Sequence, residues 1–118
     1  MVQKFFQSRP NKSPKIYGYT EPGEEYKGLI KIGYTERDVI IRMKEHYPTA
    51  GPEGICRYQI LFEESSMRDD GTYFKDYEVH RILELAGFQR CGSNNEWFKC
   101  TLEDLKAAYI SVKDRTTI

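Results

Sequence analysis

Two short segments near the amino terminus carry the residue types best suited to chemistry. They are KIYGYT at residues 15–20 and LIKIGYT at residues 29–35. Side chains alternate between the two faces of a strand, so Tyr17 and Tyr19 share one face of the first segment, and Lys31 and Gly33 share one face of the second. If the two strands pair with their apolar residues on the same side, two phenols and an ammonium group cluster beside a glycine. A glycine inside a strand often marks a place where another group approaches the backbone closely.

A second group of ionisable residues lies in the segment YFKDYEVHRILELA, residues 73–86, which has the periodicity of a helix. Glu78 falls between Phe74 and Ile82 on the apolar side of that helix. A carboxylate on an apolar face is costly unless it is paired or binds a metal. Two interpretations therefore remain open for Glu78, an ion pair with an arginine or a metal or catalytic site. Asp76 and His80 lie at the other edge of the same helix.

The elements that must position these residues follow the order ββαβαβα. Strands are predicted at Ile16–Tyr19, Gly28–Tyr34, residues 56–63 and the segment EWFKC, and helices at DVIIRMKEHY, at residues 73–86 and after Thr101. We therefore expect an α+β fold, a small and mostly antiparallel sheet of three to four strands flanked by helices.

Capping signals mark the helix boundaries. Thr35, with Asp38 three residues later, resembles a helix N-cap, and Thr101 with Asp104 repeats that spacing at the last helix. Gly87 is placed to end the helix before it.

The first helix adds two polar candidates. Arg42 and His46 lie one turn apart, at the edge of the stripe formed by Val39, Met43 and Tyr47. A solvated charge is the usual fate of an arginine on a surface helix, so the position alone leaves a functional role open.

Length and composition limit the class of protein. The chain has 118 residues, which suits one compact domain, and its formal net charge is +0. It has no apolar run long enough to span a membrane and no signal peptide, so we expect a cytoplasmic location. We predict a basic arm at residues 1–14, one domain at 15–112, and a tail or the start of a linker at 113–118. The arm could lie along phosphates or simply be a frayed terminus.

The cysteines are three in number, Cys56, Cys91 and Cys100, without a CxxC pair. An odd count argues against a disulfide framework. A zinc site with His80 is conceivable, but the irregular spacing favours reduced structural thiols.

Several of these residues together resemble a known family. Ile16-Tyr17, then Ile32-Gly33 and Thr35, then Arg42 and His46, then YEVHRIL and finally NEWF follow one another along the chain. In this order they resemble the GIY-YIG nuclease superfamily, and in particular its phage-type branch with a Lys-Ile-Gly second motif and a Glu-Trp-Phe element. Lys15 stands where the first motif has glycine, and Lys31 where the second has its leading tyrosine.

The resemblance implies a metal-dependent DNA endonuclease that hydrolyses phosphodiester bonds. Tyr17 would be the general base. The pKa of a free tyrosine is about 10, so its proton must be relayed or its pKa lowered, for which Lys31 or Lys15 supplies positive charge. Arg42 would clamp a phosphate oxygen, while Tyr19 and His46 would orient water or phosphate.

The same resemblance implies one Mg²⁺ or Mn²⁺ held by a carboxylate. Glu78 is the first candidate and Glu96 the second, with Asp76 as an alternative because it precedes His80 by four residues. The remaining residues expected at the substrate site are Gly33, Thr35, Lys15 and His80.

Two other functions remain open. The first is a nucleic-acid-binding module that has lost catalysis, which the two lysine replacements and the zero net charge favour. The second is a small protein-interaction domain with Tyr17, Tyr19 and Tyr34 as an aromatic surface. For the endonuclease and for the binding module, the expected partner is DNA. The sequence contains no separate recognition element, so we expect target choice to come from further domains, and the oligomeric state is not predicted.

Overall fold

A computed structural model of the chain describes residues 13–39, 41, 58–91 and 97–115. Its elements are β1 (Lys15–Thr20), a 3-10 turn (Glu24–Tyr26), β2 (Leu29–Thr35), β3 (Gln59–Ser65), α1 (Asp76–Leu85), β4 (Arg90–Cys91), β5 (Trp97–Lys99) and α2 (Leu102–Asp114). The strands form one antiparallel sheet in the order β3-β1-β2-β5-β4. The α+β class with an antiparallel sheet is confirmed. Neither described helix has the length and apolarity needed to cross a bilayer.

The sheet has five strands where three to four were predicted. The additional strand is β4, and its two residues are too short to show any alternation in the sequence. It forms because Arg90 and Cys91 pair with Phe98 and Trp97 of β5. Of the predicted first helix, Val39 and Ile41 are helical and Asp38 is not, while residues 40 and 42–47 lie outside the described part of the chain.

One face of the sheet, the helix face, packs against α1 and α2. The strands contribute Ile16, Ile30, Ile32, Phe62 and Phe98, and the helices contribute Val79, Leu83, Leu105, Ala108, Tyr109 and Val112. On β1 and β2 these are alternate residues, as the pattern of the two opening segments predicts. The opposite face therefore receives the odd-numbered side chains of both strands.

Gly18 lets α2 approach the sheet. A Cβ atom on Gly18 would lie 2.7 Å from Leu105 Cδ2 and 3.2 Å from Ile30 Cγ2. The pairing of β1 with β3 also shifts register between Gly18 and Tyr19. Glycine suits a bulge at this position, because the bulge bends the strand and glycine adds no side chain to the filled core.

The helix ends follow the capping signals in two of three places. At α2 the Thr101 Oγ1 accepts from the Asp104 N–H at 3.1 Å, and the Asp104 carboxylate accepts from the Thr101 N–H at 2.8 Å. Gly87 follows α1 with a φ of 97°, a conformation that favours glycine. Thr35 is not an N-cap, because residues 36–38 are not helical and the first helical residue is Val39. Its Oγ1 accepts from the Arg37 N–H at 3.1 Å and closes a turn before that residue.

Ser66 supplies a prediction about stability. It is 0% exposed, and its Oγ is a buried hydroxyl without a hydrogen-bond partner among the described residues. A buried, unsatisfied hydroxyl costs about 1–3 kcal/mol. We therefore expect Ser66→Ala to raise the free energy of unfolding by about 1 kcal/mol in urea titrations.

The matched control for this substitution is Ser111→Ala. Ser111 is 3% exposed and does have an interaction partner. Its replacement should destabilise the protein. Equal destabilisation by both substitutions would contradict the assignment of an unsatisfied hydroxyl to Ser66.

Candidate active site

The face of the sheet opposite the helices, the tyrosine face, is formed by Tyr17, Tyr19 and Val39, with Tyr58, Ile60 and Trp97 packed against them. The Tyr17 and Tyr19 ring centroids are 6.1 Å apart, and Trp97 meets the Tyr19 ring edge-on at 5.7 Å. Tyr17 is 2% exposed and Tyr19 is 1% exposed. The two phenols thus share a face, as strand alternation predicts, but they lie in a second small core and not on an open surface.

The Tyr17 ring packs directly against Gly33. The two residues are directly paired across β1 and β2. A Cβ atom on Gly33 would lie 2.5 Å from the Tyr17 hydroxyl oxygen and 2.5 Å from Cζ. Any residue other than glycine would therefore overlap the phenol. The close approach expected from a glycine within a strand is made by Tyr17 itself.

The two lysines of the opening segments have different surroundings. Lys31 Nζ lies 5.8 Å from the centroid of the Tyr19 ring, within the range of a cation–π contact. Lys15 Nζ donates to Glu63 at 2.9 Å, and this hydrogen bond is the main reason that the pKa of Lys15 is raised. Lys15 is thus paired with Glu63, while Lys31 lies against the Tyr19 ring.

Glu63 is the residue near Tyr17 that sequence reasoning missed. It is directly opposite Tyr17 in the register of β1 with β3. No local signal in the sequence could have found it. The pairing of β1 with β3 joins residues more than forty positions apart, as the separation of Lys15 from Glu63 shows.

Glu78 does not reach the tyrosine face. It lines an open groove between α1 and α2 together with Arg68, Arg81 and Arg115. Its carboxylate lies 3.7 Å from the Arg68 guanidinium. Arg68 is in turn held by the Val112 carbonyl, to which its Nε and one Nη donate at 3.3 and 3.1 Å. The ion pair with an arginine, one of the two interpretations left open by the sequence, is present.

Asp76 lies closer to the end of β2. It is the first residue of α1, and its carboxylate affects the nearby phenol of Tyr34. Burial, followed by the hydrogen bond to Glu36 at 2.9 Å, raises the pKa of Tyr34 well above its usual value, and the negative charge of Asp76 adds to that shift. Asp76 thus lies near Tyr34, whose ring packs against the core on the helix face.

His80 is 5% exposed on the inner side of α1, and Thr35 is 4% exposed. The imidazole contacts the Ile32 carbonyl, with Nε2 2.9 Å from the oxygen. Neither side chain is open to a substrate. The remaining candidates, Arg42, His46 and Glu96, lie outside the described residues.

The fit of a divalent cation differs between the carboxylates. Glu78 does not fit, because its neighbours in the groove are arginines and one of them already pairs with it. Asp76 also has an interaction partner, and it is a single carboxylate of the kind that Mg²⁺ takes when water and phosphate complete its shell. Within the described part of the chain, no group of three or more His, Cys, Asp or Glu side chains is placed to hold a metal ion.

Two cysteines give a chemical test of burial. Cys91 is half-buried, whereas Cys100 is buried, and burial raises the pKa of the Cys100 thiol to about 11. At pH 8 only about one Cys100 in a thousand is then a thiolate, the form that reacts. We expect iodoacetamide to modify Cys91 well before Cys100 in the native protein, as read by peptide mass mapping. In urea the difference should disappear, and equal native rates would contradict the burial of Cys100.

The sheet, with α1 and α2 on one face, defines a small α+β domain whose tyrosine pair is buried on the other face. The model of the T5orf172 domain matches residues 15–113. The chain therefore belongs to the T5orf172 domain family. Searches of curated proteins and of solved structures gave no match.

The family finding corrects the resemblance drawn from the sequence. The matching model is that of a different family, so the assignment to the GIY-YIG superfamily is wrong. The motifs on which it relied are pairs such as Ile16-Tyr17 and Ile32-Gly33. Pairs this short also satisfy the packing needs of an antiparallel hairpin, in which Ile16 and Ile32 fill the core and Gly33 makes room for Tyr17.

Proposed function

We propose that this domain is a DNA endonuclease that hydrolyses phosphodiester bonds, with Tyr17 as the general base. The observation that carries the proposal is the close packing of the Tyr17 ring against Gly33. Its hydroxyl is held against the backbone of Gly33, on the face that also carries Lys31. A phenol fixed in this way has a defined position for accepting a proton, which general base catalysis requires.

The other roles follow from the chemistry of the side chains. Lys31 provides positive charge on the face where the phenolate would form. Arg42 follows the hairpin in the sequence. A guanidinium group can donate two parallel hydrogen bonds to two phosphate oxygens. Tyr19 and His46 are the candidates for orienting water or phosphate.

Asp76 is the carboxylate that we propose as a ligand for Mg²⁺ or Mn²⁺. It is half-buried at the start of α1, and its negative charge acts on Tyr34 near the end of β2. A bound divalent cation would supply Lewis-acid stabilisation of the phosphate charge. The proposed contribution of the chain is to hold the carboxylate at the start of α1.

A second candidate function is nucleic-acid binding without cleavage. The burial of Tyr17 favours it, because a side chain that is 2% exposed offers little surface to a substrate. In that case the tyrosine pair has only a packing role. The basic residues Lys31 and Arg42 would then contact phosphates without chemistry.

The experiment that separates the two functions is nicking of supercoiled plasmid in EDTA, Mg²⁺ and Mn²⁺, combined with DNA binding at several salt concentrations. Nicking that requires the divalent cation supports the endonuclease. Binding that weakens steeply with salt but without nicking in either cation supports the binding module. The absence of both DNA binding and nicking would overturn both candidate functions.

We also propose that the domain works on DNA in the cytoplasm. Further domains of a longer protein would choose the target, because the sequence carries no separate recognition element beside the core of this domain.

A further inference from the structure

The central polar contact of α1 is made by a buried histidine. His80 lies in the middle of the helix, and its ring centroid is 5.1 Å from that of Phe98. Nε2 lies 2.9 Å from the Ile32 carbonyl oxygen. A carbonyl oxygen can only accept a hydrogen bond, so Nε2 carries the proton and donates it. The contact is buried, where a polar group left without a partner is costly.

The accepting carbonyl belongs to the Ile32–Gly33 peptide, against which the Tyr17 ring packs. The Ile32 carbonyl and the Gly33 N–H share one planar peptide group. In the described register, the pairing of β2 with β5 runs from Leu29 to Lys31 and stops before this peptide. The hydrogen bond from His80 therefore holds the peptide at a point of β2 beyond the described pairing with β5.

The two sides of this peptide are thus contacted by two side chains. From α1, His80 binds the carbonyl, while on the tyrosine face the Tyr17 ring packs against Gly33. Because a Cβ on Gly33 would lie only 2.5 Å from the Tyr17 hydroxyl, there is no spare room between the phenol and the backbone. A tilt of the peptide would therefore move the phenol.

We propose that His80 is a positioning residue for Tyr17. It fixes the Ile32–Gly33 peptide and, through that peptide, the location of the phenol on the opposite face. The catalytic consequence rests on the proposed function, in which Tyr17 is the general base. The same hydrogen bond docks α1 on β2 and so also sets the start of the helix, where Asp76 lies one turn earlier.

The test compares His80→Gln and His80→Met. The amide nitrogen of Gln reaches the place of Nε2 and keeps the donor, whereas Met has a similar length and no donor. Val79→Ala is the matched control, because Val79 is a 0% exposed neighbour on α1 whose loss weakens packing but leaves the hydrogen bond. All variants are compared at a temperature where urea titrations show them folded.

Two readouts are needed. The first is the steady-state kinetics of plasmid nicking, in which His80→Met should lower kcat about 10- to 100-fold with KM little changed. His80→Gln should recover most of kcat, and Val79→Ala should stay near the wild type. The second is the ¹⁹F NMR shift of Tyr17 in protein made with 3-fluorotyrosine and assigned with Tyr17→Phe. His80→Met should move that resonance, and the other two variants should not.

Several outcomes would overturn the proposal. One is a Tyr17 resonance that is the same in His80→Met as in the wild type. Another is a loss of kcat in Val79→Ala as large as in His80→Met, which would show a merely structural role. If His80→Met does not fold, His80→Asn replaces it, because its shorter amide does not reach the carbonyl.

The NMR readout separates this proposal from the proposed function. If the wild type nicks no DNA, the endonuclease assignment fails, and the resonance of Tyr17 alone decides whether His80 positions it.

Discussion

Tyr17→Phe is expected to lower the rate of DNA nicking about 100-fold or more, since general acid–base catalysis contributes about 10²–10⁴-fold. The substitution removes one oxygen atom and keeps the ring that packs with Tyr19 at 6.1 Å. The fold should therefore be retained. The measurement is the single-turnover rate of plasmid nicking at saturating enzyme, together with the urea midpoint of the variant.

The matched control is Tyr109→Phe. The Tyr109 hydroxyl donates to the Ser65 carbonyl at 2.6 Å, on the helix face of the sheet. Its removal should cost about 1 kcal/mol of stability without changing the rate in folded protein. Equal rates for wild type and Tyr17→Phe would remove Tyr17 from the mechanism. A loss in both variants would instead show that the rate follows stability.

Gly33→Ala is expected to be the most damaging single-methyl change in the hairpin. The new Cβ would lie 2.5 Å from Cζ and from the hydroxyl oxygen of Tyr17, and Tyr17 is 2% exposed and cannot move aside freely. Overpacking of this kind costs about 1–3 kcal/mol, against about 0.5–1 kcal/mol gained when alanine replaces glycine in a strand. We expect a net loss of about 1 kcal/mol in the free energy of unfolding. Displacement of the phenol should also lower nicking about 100-fold.

A double-mutant cycle tests the cause of this effect. Tyr17→Leu removes the ring atoms that the new Cβ at position 33 would meet. In the Tyr17→Leu background, Gly33→Ala should then cost much less, or become neutral, in the same urea titrations. If the cost of Gly33→Ala is the same in both backgrounds, the two residues act independently and the glycine has another role.

Local features of the structure could be predicted because they depend on neighbours in the chain. The alternation of β1 and β2 follows from the residues themselves, with Ile16 and Ile32 on the helix face and Tyr17 on the other. The capping box of α2 has its whole signal within Thr101–Asp104. In each case the interacting groups are close in sequence or belong to one hairpin, so the pattern specifies the contact.

The strands and partners that were missed have no such local pattern. β4 is two residues long and exists only because β5 pairs with it. Thr35 has the spacing of a helix N-cap, but its hydroxyl closes a turn to Arg37. Short signals of this kind are compatible with more than one local structure, and the surrounding chain selects between them.

By itself, the sequence determined the class of fold, the hairpin with Tyr17 and Gly33 paired on one side, and the presence of a carboxylate and a histidine on one helix. Only the tertiary structure decided which of these groups meet. It placed Glu78 beside Arg68 in the groove between the helices, and it buried His80 against the Ile32 carbonyl. It also brought Glu63 opposite Tyr17. The physical reason is that these contacts join groups far apart in the sequence, and packing over the whole chain sets them, which no local spacing of residues encodes.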